Sequence, residues 1–167
     1  MKDPDYHHLG DHTETVQIDF DPQRITYNDL LVIFWESHKP TQRPWKRQYL
    51  HAVFYHNETQ RQAALASKKA VEAEIGREVR TEILPVRTFY RAEDYHQKYL
   101  LKRRPELAKA MTGIYPRKKD YVDSTAVARL NGYAGGYGSS QQLGREIDQL
   151  GLSAENRQSL LKLVGSN

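Results

Sequence analysis

A carboxyl group on the apolar side of a β-strand is a candidate proton donor, and the stretch His12–Phe20, HTETVQIDF, offers one. Val16, Ile18 and Phe20 share one parity and Thr15, Gln17 and Asp19 the other, which is the period-two pattern of a half-buried strand. Glu14 falls on the parity of Val16. On that face it would lose hydration, which disfavours the carboxylate and raises its pKa. An acid still protonated near neutral pH can give its proton to a substrate. A strand-end Glu paired with a nearby Lys or Arg accounts for the same position, because structural ion pairs also perturb pKa values.

The other candidate chemistries are weaker. His7, His8 and His12 match no metal-ligand spacing, so no metal is expected, and His12 reads as a hydrogen-bonding residue at the start of the strand. The 167 residues contain no cysteine, which removes disulfides, zinc–thiolate sites, iron–sulfur clusters and every thiol mechanism from these residues. The net charge is only +4, and the basic clusters Lys102–Arg104 and Arg117–Lys119 read as solvated faces, so no nucleic-acid partner is expected. Phe89–Tyr99 reads as a helix packing Tyr95 and Tyr99 on a sheet rather than as a base-stacking platform. The Gly-rich Asn131–Ser140 has neither the Lys-Ser/Thr nor the preceding strand of a phosphate loop. No apolar run has the length of a membrane span, and the N-terminal residues lack the apolar core of a signal peptide, so a cytoplasmic protein is expected.

The elements that must position Glu14 follow in order. Asp21-Pro22 makes a turn. Thr26-x-x-Asp29 reads as a capping box for a helix whose stripe runs through Tyr27, Leu30, Leu31, Phe34 and His38 and which ends at Lys39-Pro40. Thr41–Arg47 is a basic loop containing Trp45. Leu50–Tyr55 is apolar on both faces, as a strand internal to a sheet would be. Asn57 caps a long helix that Gly76 stops, and Val79–Leu84 is a further strand. Strands and helices alternating through short links indicate a sheet with helices packed on it, α+β or α/β. Beyond Pro85, short helices are expected over Glu93–Lys102, Pro105–Met111 and Val122–Leu130, then a mobile loop over Asn131–Ser140. Two helices broken at Gly151 follow, the second capped by Ser153.

Together Pro4–Pro22 (PDYHHLGDHTETVQIDFDP), Ile25–Pro40 (ITYNDLLVIFWESHKP), Arg47–Asn57 (RQYLHAVFYHN), Thr81–Leu101 (TEILPVRTFYRAEDYHQKYLL) and Asp123–Gly136 (DSTAVARLNGYAGG) resemble the peptide methionine sulfoxide reductase A family, in that family's order. The resemblance implies an α+β fold: the remnant of a ferredoxin-like two-layer sandwich, a mixed sheet with packed helices, over residues 1–138, with a C-terminal helical extension over 139–167. It implies Glu14 as the acid that protonates the sulfoxide oxygen, and Tyr6 and Tyr49 as the hydroxyls that hold that oxygen. It places the tyrosines of the Gly-rich loop, Tyr133 among them, over the catalytic basin. With His12, Tyr133 is an expected substrate-binding residue, and Glu93, Asp94 and His96 lie beside the active site. The implied reaction is reduction of the S-epimer of methionine sulfoxide in proteins, with no cofactor and with thioredoxin as reductant.

The family's nucleophile is the Cys of a GCFWG segment that follows a first strand. That strand, segment and second strand are expected to be missing here, since Met1 precedes Tyr6 by five residues, and so are the family's resolving cysteines. Two further positions depart from the pattern. Lys39 stands where many relatives have Asp, and the carboxylate often found upstream of Tyr49 is absent, which puts the Lys39 and Pro44 region in question. The hydroxyls of Ser124 and Thr125 cannot replace the thiolate, because oxygen nucleophiles have no disulfide cycle. Two readings follow: a reductase shortened to inactivity, or a non-catalytic module that binds oxidised methionine or a partner supplying the missing strands. An open sheet edge is expected to favour self-association.

Overall fold

The computed structural model describes residues 12–165, so Tyr6, His7 and His8 lie outside the described residues. The chain packs as two compact units, Met1–Arg91 and Ala92–Asn167.

In the first unit, α1 (Tyr27–Glu36) starts at the expected capping box: the Asp29 N–H donates to Thr26 Oγ1 and the Thr26 N–H donates to Asp29 Oδ2, at 3.1 and 2.9 Å. β1 (Ala52–Tyr55) leads into α2 (Glu58–Ile75), capped by Asn57 and ended by Gly76 at φ 67°, a left-handed conformation that glycine adopts without steric cost. β2 (Glu82–Pro85) returns parallel to β1, with Val53 opposite Ile83 and Phe54 opposite Leu84. Parallel strands need a crossover, and α2 supplies it. Leu31 and Trp35 of α1 meet Ala64 of α2 and Val79 in the core of this unit, and Trp35 Nε1–H donates to Ser67 Oγ at 3.0 Å. The helices and parallel strands give the α+β class expected.

The strand expected at residues 12–20 does not form. The segment is extended but makes no ladder, and Val16 and Ile18 are 83% and 57% exposed. Alternation makes a strand only where a neighbouring edge accepts its backbone groups, and among the described residues β1 and β2 pair only with each other. β1 is therefore not internal to a larger sheet among these residues.

The second unit is helical: α3 (Tyr99–Lys102), α4 (Pro105–Ile114), α5 (Lys118–Asp123), α6 (Thr125–Ala134), α7 (Ser140–Glu146) and α8 (Ala154–Gly165). Pro105 opens α4 at a position where no intrahelical N–H is needed, and Ser124 and Ser139 cap α6 and α7. Leu101, Met111, Val127 and Leu130 share one buried cluster with Leu143, Leu150 and Leu160. The helices after residue 139 thus bury their apolar side against those before it. Three sequence expectations are corrected here. Only Tyr99–Lys102 of the segment 93–102 is helical, because Lys98 takes a left-handed φ of 52° after two tight turns. The stretch 122–130 divides between α5 and α6 at Ser124. The expected loop 131–140 begins only after Ala134, since α6 continues through the buried Tyr133.

Leu160→Ala is expected to destabilise the second unit by about 2–5 kcal/mol through the cavity it leaves. Because one core is shared, amide hydrogen exchange should accelerate in α4 and α6 as well as in α8. Acceleration confined to residues 140–165 would show that those helices are packed independently.

Candidate functional site

The 3₁₀ turn Arg47–Tyr49 carries Tyr49 and receives Glu14. The turn is closed by the Tyr49 N–H donating to the Lys46 carbonyl and the Leu50 N–H donating to the Arg47 carbonyl, at 3.1 and 3.0 Å. The extended segment docks on it at one place. The Glu14 N–H donates to the Gln48 carbonyl at 2.9 Å, Gln48 Nε2–H donates to Glu14 Oε1 at 2.7 Å, and Thr13 Oγ1–H donates to the Arg47 carbonyl at 3.2 Å. Glu14 and Tyr49, remote in sequence, are thereby brought to neighbouring positions. The carboxyl of Glu14 is exposed, not buried on a strand face, so the loss of hydration inferred from parity has no source in this arrangement. The reason is again the missing ladder: residues 14–19 are exposed on both parities, with no paired strand to cover either.

His12 is half-buried with its ring edge-on to Tyr90 at 5.3 Å. Tyr49 is 40% exposed. Tyr133 belongs to the second unit, where it is a buried helical residue rather than a loop residue. Its hydroxyl donates to Glu146, which is also paired with Arg129 at 3.0 Å. Burial first, and then the Glu146 carboxylate, push the Tyr133 phenol well above its ordinary range. Of the residues near the expected active site, Asp94 pairs with Lys118, which holds its carboxyl below the ordinary range, and Glu93 faces His96 at 3.9 Å. Among the described residues no group of three or more His, Asp or Glu side chains is arranged to hold a metal ion, and no helix is long and apolar enough to cross a membrane.

Sequence reasoning missed two features. Gln48, the partner that positions Glu14, carries no motif of its own. The cluster around His38 was half visible, since His38 lies on the α1 stripe. At the end of α1, His38 Nδ1–H donates to the Phe34 carbonyl at 2.8 Å, which leaves Nε2 to accept from the hydroxyl of fully buried Thr81 at 2.9 Å. Trp35 stacks on the imidazole at 5.7 Å, and the His51 ring lies 4.6 Å away. Lys68 Nζ–H donates to the Thr81 carbonyl at 2.8 Å. Burial is the main cause that holds the His38 pKa below its ordinary value. The bond to Phe34 opposes that shift and His51 adds to it.

These residues put a carboxyl and an amide in contact at a turn whose next residue, Tyr49, bears a phenol, and each of the three groups can hydrogen-bond a polar oxygen. The 167 residues offer no sulfur nucleophile. Comparison with known proteins gives the family. A family profile described as peptide methionine sulfoxide reductase matches residues 1–130, and one described as the helical domain of selenoprotein methionine sulfoxide reductase A matches residues 118–162. A peptide methionine sulfoxide reductase of Drosophila melanogaster is 40% identical over 157 residues, which is 93% of this chain and 63% of that protein. The peptide methionine sulfoxide reductase MsrA 1 of Synechocystis is 47% identical over 100 residues, 54% of this chain and 45% of that one. The peptide methionine sulfoxide reductase A5 of rice is 38% identical over 137 residues, 78% of this chain and 53% of that one. The chain spans about half the length of the curated relatives it matches.

The depressed His38 pKa has a consequence for stability. The folded state binds this proton less readily than the unfolded chain does. The stabilisation is therefore complete above the unfolded value of about 6.5 and is lost as pH falls from there through the folded value. The free energy of unfolding is expected to decline below pH ~6.5, and less steeply in His38→Gln. Imidazole NMR should show His38 titrating below an ordinary histidine; titration at or above the ordinary value would contradict the cluster.

Proposed function

Because the chain belongs to the peptide methionine sulfoxide reductase family, we propose that its first unit carries the oxygen-holding, proton-donating side of a peptide methionine sulfoxide reductase site. Glu14 gives its proton to the sulfoxide oxygen, and the hydroxyls of Tyr49 and Tyr6 hold that oxygen. The observation that supports this most directly is the pair of hydrogen bonds between Glu14 and Gln48, which puts the carboxyl beside the turn that carries Tyr49. The substrate is the S-epimer of methionine sulfoxide in a polypeptide, and His12 lines its approach. Exposure of the Glu14 carboxyl fits a group that must meet a protein-borne sulfoxide from outside.

The overall reaction converts sulfoxide, two protons and two electrons to thioether and water. In the thiol route, a thiolate attacks the sulfoxide sulfur and the oxygen, protonated by the acid, passes to the thiol as a sulfenic acid while the thioether leaves. A second thiol then condenses with the sulfenic acid, releasing water and forming a disulfide, which thioredoxin reduces. Each sulfur step needs a thiol that these 167 residues do not contain. By themselves they therefore bind and polarise the sulfoxide without turning it over. A reducing compartment such as the cytoplasm suits the thioredoxin step. Exposed Val16, Ile18, Val32 and Ile33, together with the short sheet, support self-association of the chain.

The test is reduction of methionine sulfoxide by the 167-residue polypeptide with dithiothreitol or thioredoxin. No turnover above a heat-inactivated control is expected. Joining the polypeptide to a segment that carries a strand and GCFWG is expected to restore turnover, and Glu14→Ala in that longer chain to lower it by roughly 10²–10⁴-fold, the contribution of one positioned acid. Turnover by the cysteine-free polypeptide would overturn the division of labour proposed here, and an extended chain indifferent to Glu14→Ala would remove the acid role.

A further inference from the structure

We propose that the turn region Arg43–Tyr49 is a docking surface for an acidic stretch of the substrate polypeptide, an inference that rests on the reading of Glu14 and Tyr49 given above. Trp45 is 79% exposed, so its ring contributes little to the core of its unit, and a large exposed aromatic with a charged rim is the composition of a binding hot spot. The ring is already positioned. Lys46 Nζ lies over it, 4.5 Å from its centre, and the Tyr49 ring stands 6.0 Å away. The backbone bonds that close the turn fix the main chain that carries Lys46 and Tyr49.

Charge identifies the partner. Between Glu36 and Glu58 the chain has no Asp or Glu, yet it carries Lys39, Arg43, Lys46 and Arg47. The net charge of the whole chain is +4, so this one stretch holds as many cations as the entire excess. Gln48, in the same turn, holds the exposed carboxyl of Glu14. A nucleic-acid backbone running along the turn would meet that carboxylate with continuous negative charge, and Lys46 occupies one face of Trp45 that a base would stack on. A polypeptide differs because its charges are discrete. Asp or Glu side chains can lie over Lys46 and Arg43 while the neighbouring sulfoxide reaches Glu14 and Tyr49. Flanking carboxylates thus supply recognition, and the basic rim steers approach.

Three synthetic peptides test this with the full chain: methionine sulfoxide flanked by Glu, methionine sulfoxide flanked by Lys, and unoxidised methionine flanked by Glu. Binding is read by calorimetry and by Trp fluorescence, with Trp45→Phe identifying the exposed reporter against buried Trp35. The Glu-flanked sulfoxide is expected to bind about tenfold more tightly than the Lys-flanked one at low salt, with the difference shrinking as salt is raised. Arg43→Glu combined with Lys46→Glu should reverse the preference, a gain for the Lys-flanked peptide that loss of folding cannot produce. Equal binding of the two sulfoxide peptides, an unchanged preference in the double variant, or displacement of the Glu-flanked peptide by oligodeoxythymidine at lower concentration than by the peptide itself would overturn the proposal. Equal binding of the oxidised and unoxidised Glu-flanked peptides would support the docking surface while overturning the oxygen-holding role of Glu14 and Tyr49.

Discussion

Two parallel strands of four residues, paired over β1 and β2, cannot hold themselves together in water, and the first unit is built around that constraint. Parallel pairing requires a crossover, so α2 must span the strands, and Ala64 on its inner face lets it approach closely. α1 covers the core with Leu31 and Trp35. The residues flanking the short ladder carry much of the polar bonding. Thr81, just before β2, is fully buried, and its hydroxyl and carbonyl are both occupied, by His38 and by Lys68. His38 in turn satisfies a carbonyl of the last turn of α1. One imidazole therefore ties the end of a helix to the start of a strand, and burial keeps it neutral enough to accept the Thr81 proton.

The Arg47–Tyr49 turn inherits its position from that arrangement, because it runs directly into β1. It is also where the extended segment touches down, through Glu14 and Thr13, before Val16 and Ile18 run out into solvent. A carboxyl that accepts one bond from Gln48 Nε2, on a residue whose backbone N–H is bonded to the same glutamine, is held without being desolvated. Access to a polypeptide substrate and a defined direction for the proton are compatible in such an arrangement. Dehydration of the acid would have to come from the bound substrate itself.

The second unit solves a separate problem. Six helices, several of them one or two turns long, have little intrinsic stability, and they persist because Leu101, Met111, Leu130, Leu143 and Leu160 form one core. Its polar centre is the Tyr133–Glu146–Arg129 group, which links α6 to α7 across the glycine-rich corner. Gly138 at that corner has φ 90°, and a Cβ there would come within 2.7 Å of the Tyr133 ring. Glycine here serves close packing against an aromatic ring rather than looseness.

What the sequence determined by itself is local. The Thr26–Asp29 capping box, the Asn57 cap, the Gly76 and Gly151 turns and the Ser153 cap each involve groups within a few residues of one another, so their chemistry could be read directly and is present as read. The absence of cysteine is equally a property of the sequence, and it limits the chemistry whatever the fold. Tertiary structure alone decided which faces were covered. Val16, Ile18 and Phe20 have the pattern of a strand, but a pattern supplies no neighbour, and without a paired edge Glu14 stays in water. Tyr133 reads as part of a glycine-rich loop, yet Glu146, thirteen residues on, captures its hydroxyl and α6 continues through it. The His38–Thr81 bond joins residues 43 apart, and neither carries a local signal of the other. Caps are settled by groups a turn away, whereas burial and long-range hydrogen bonds depend on partners that only folding brings near.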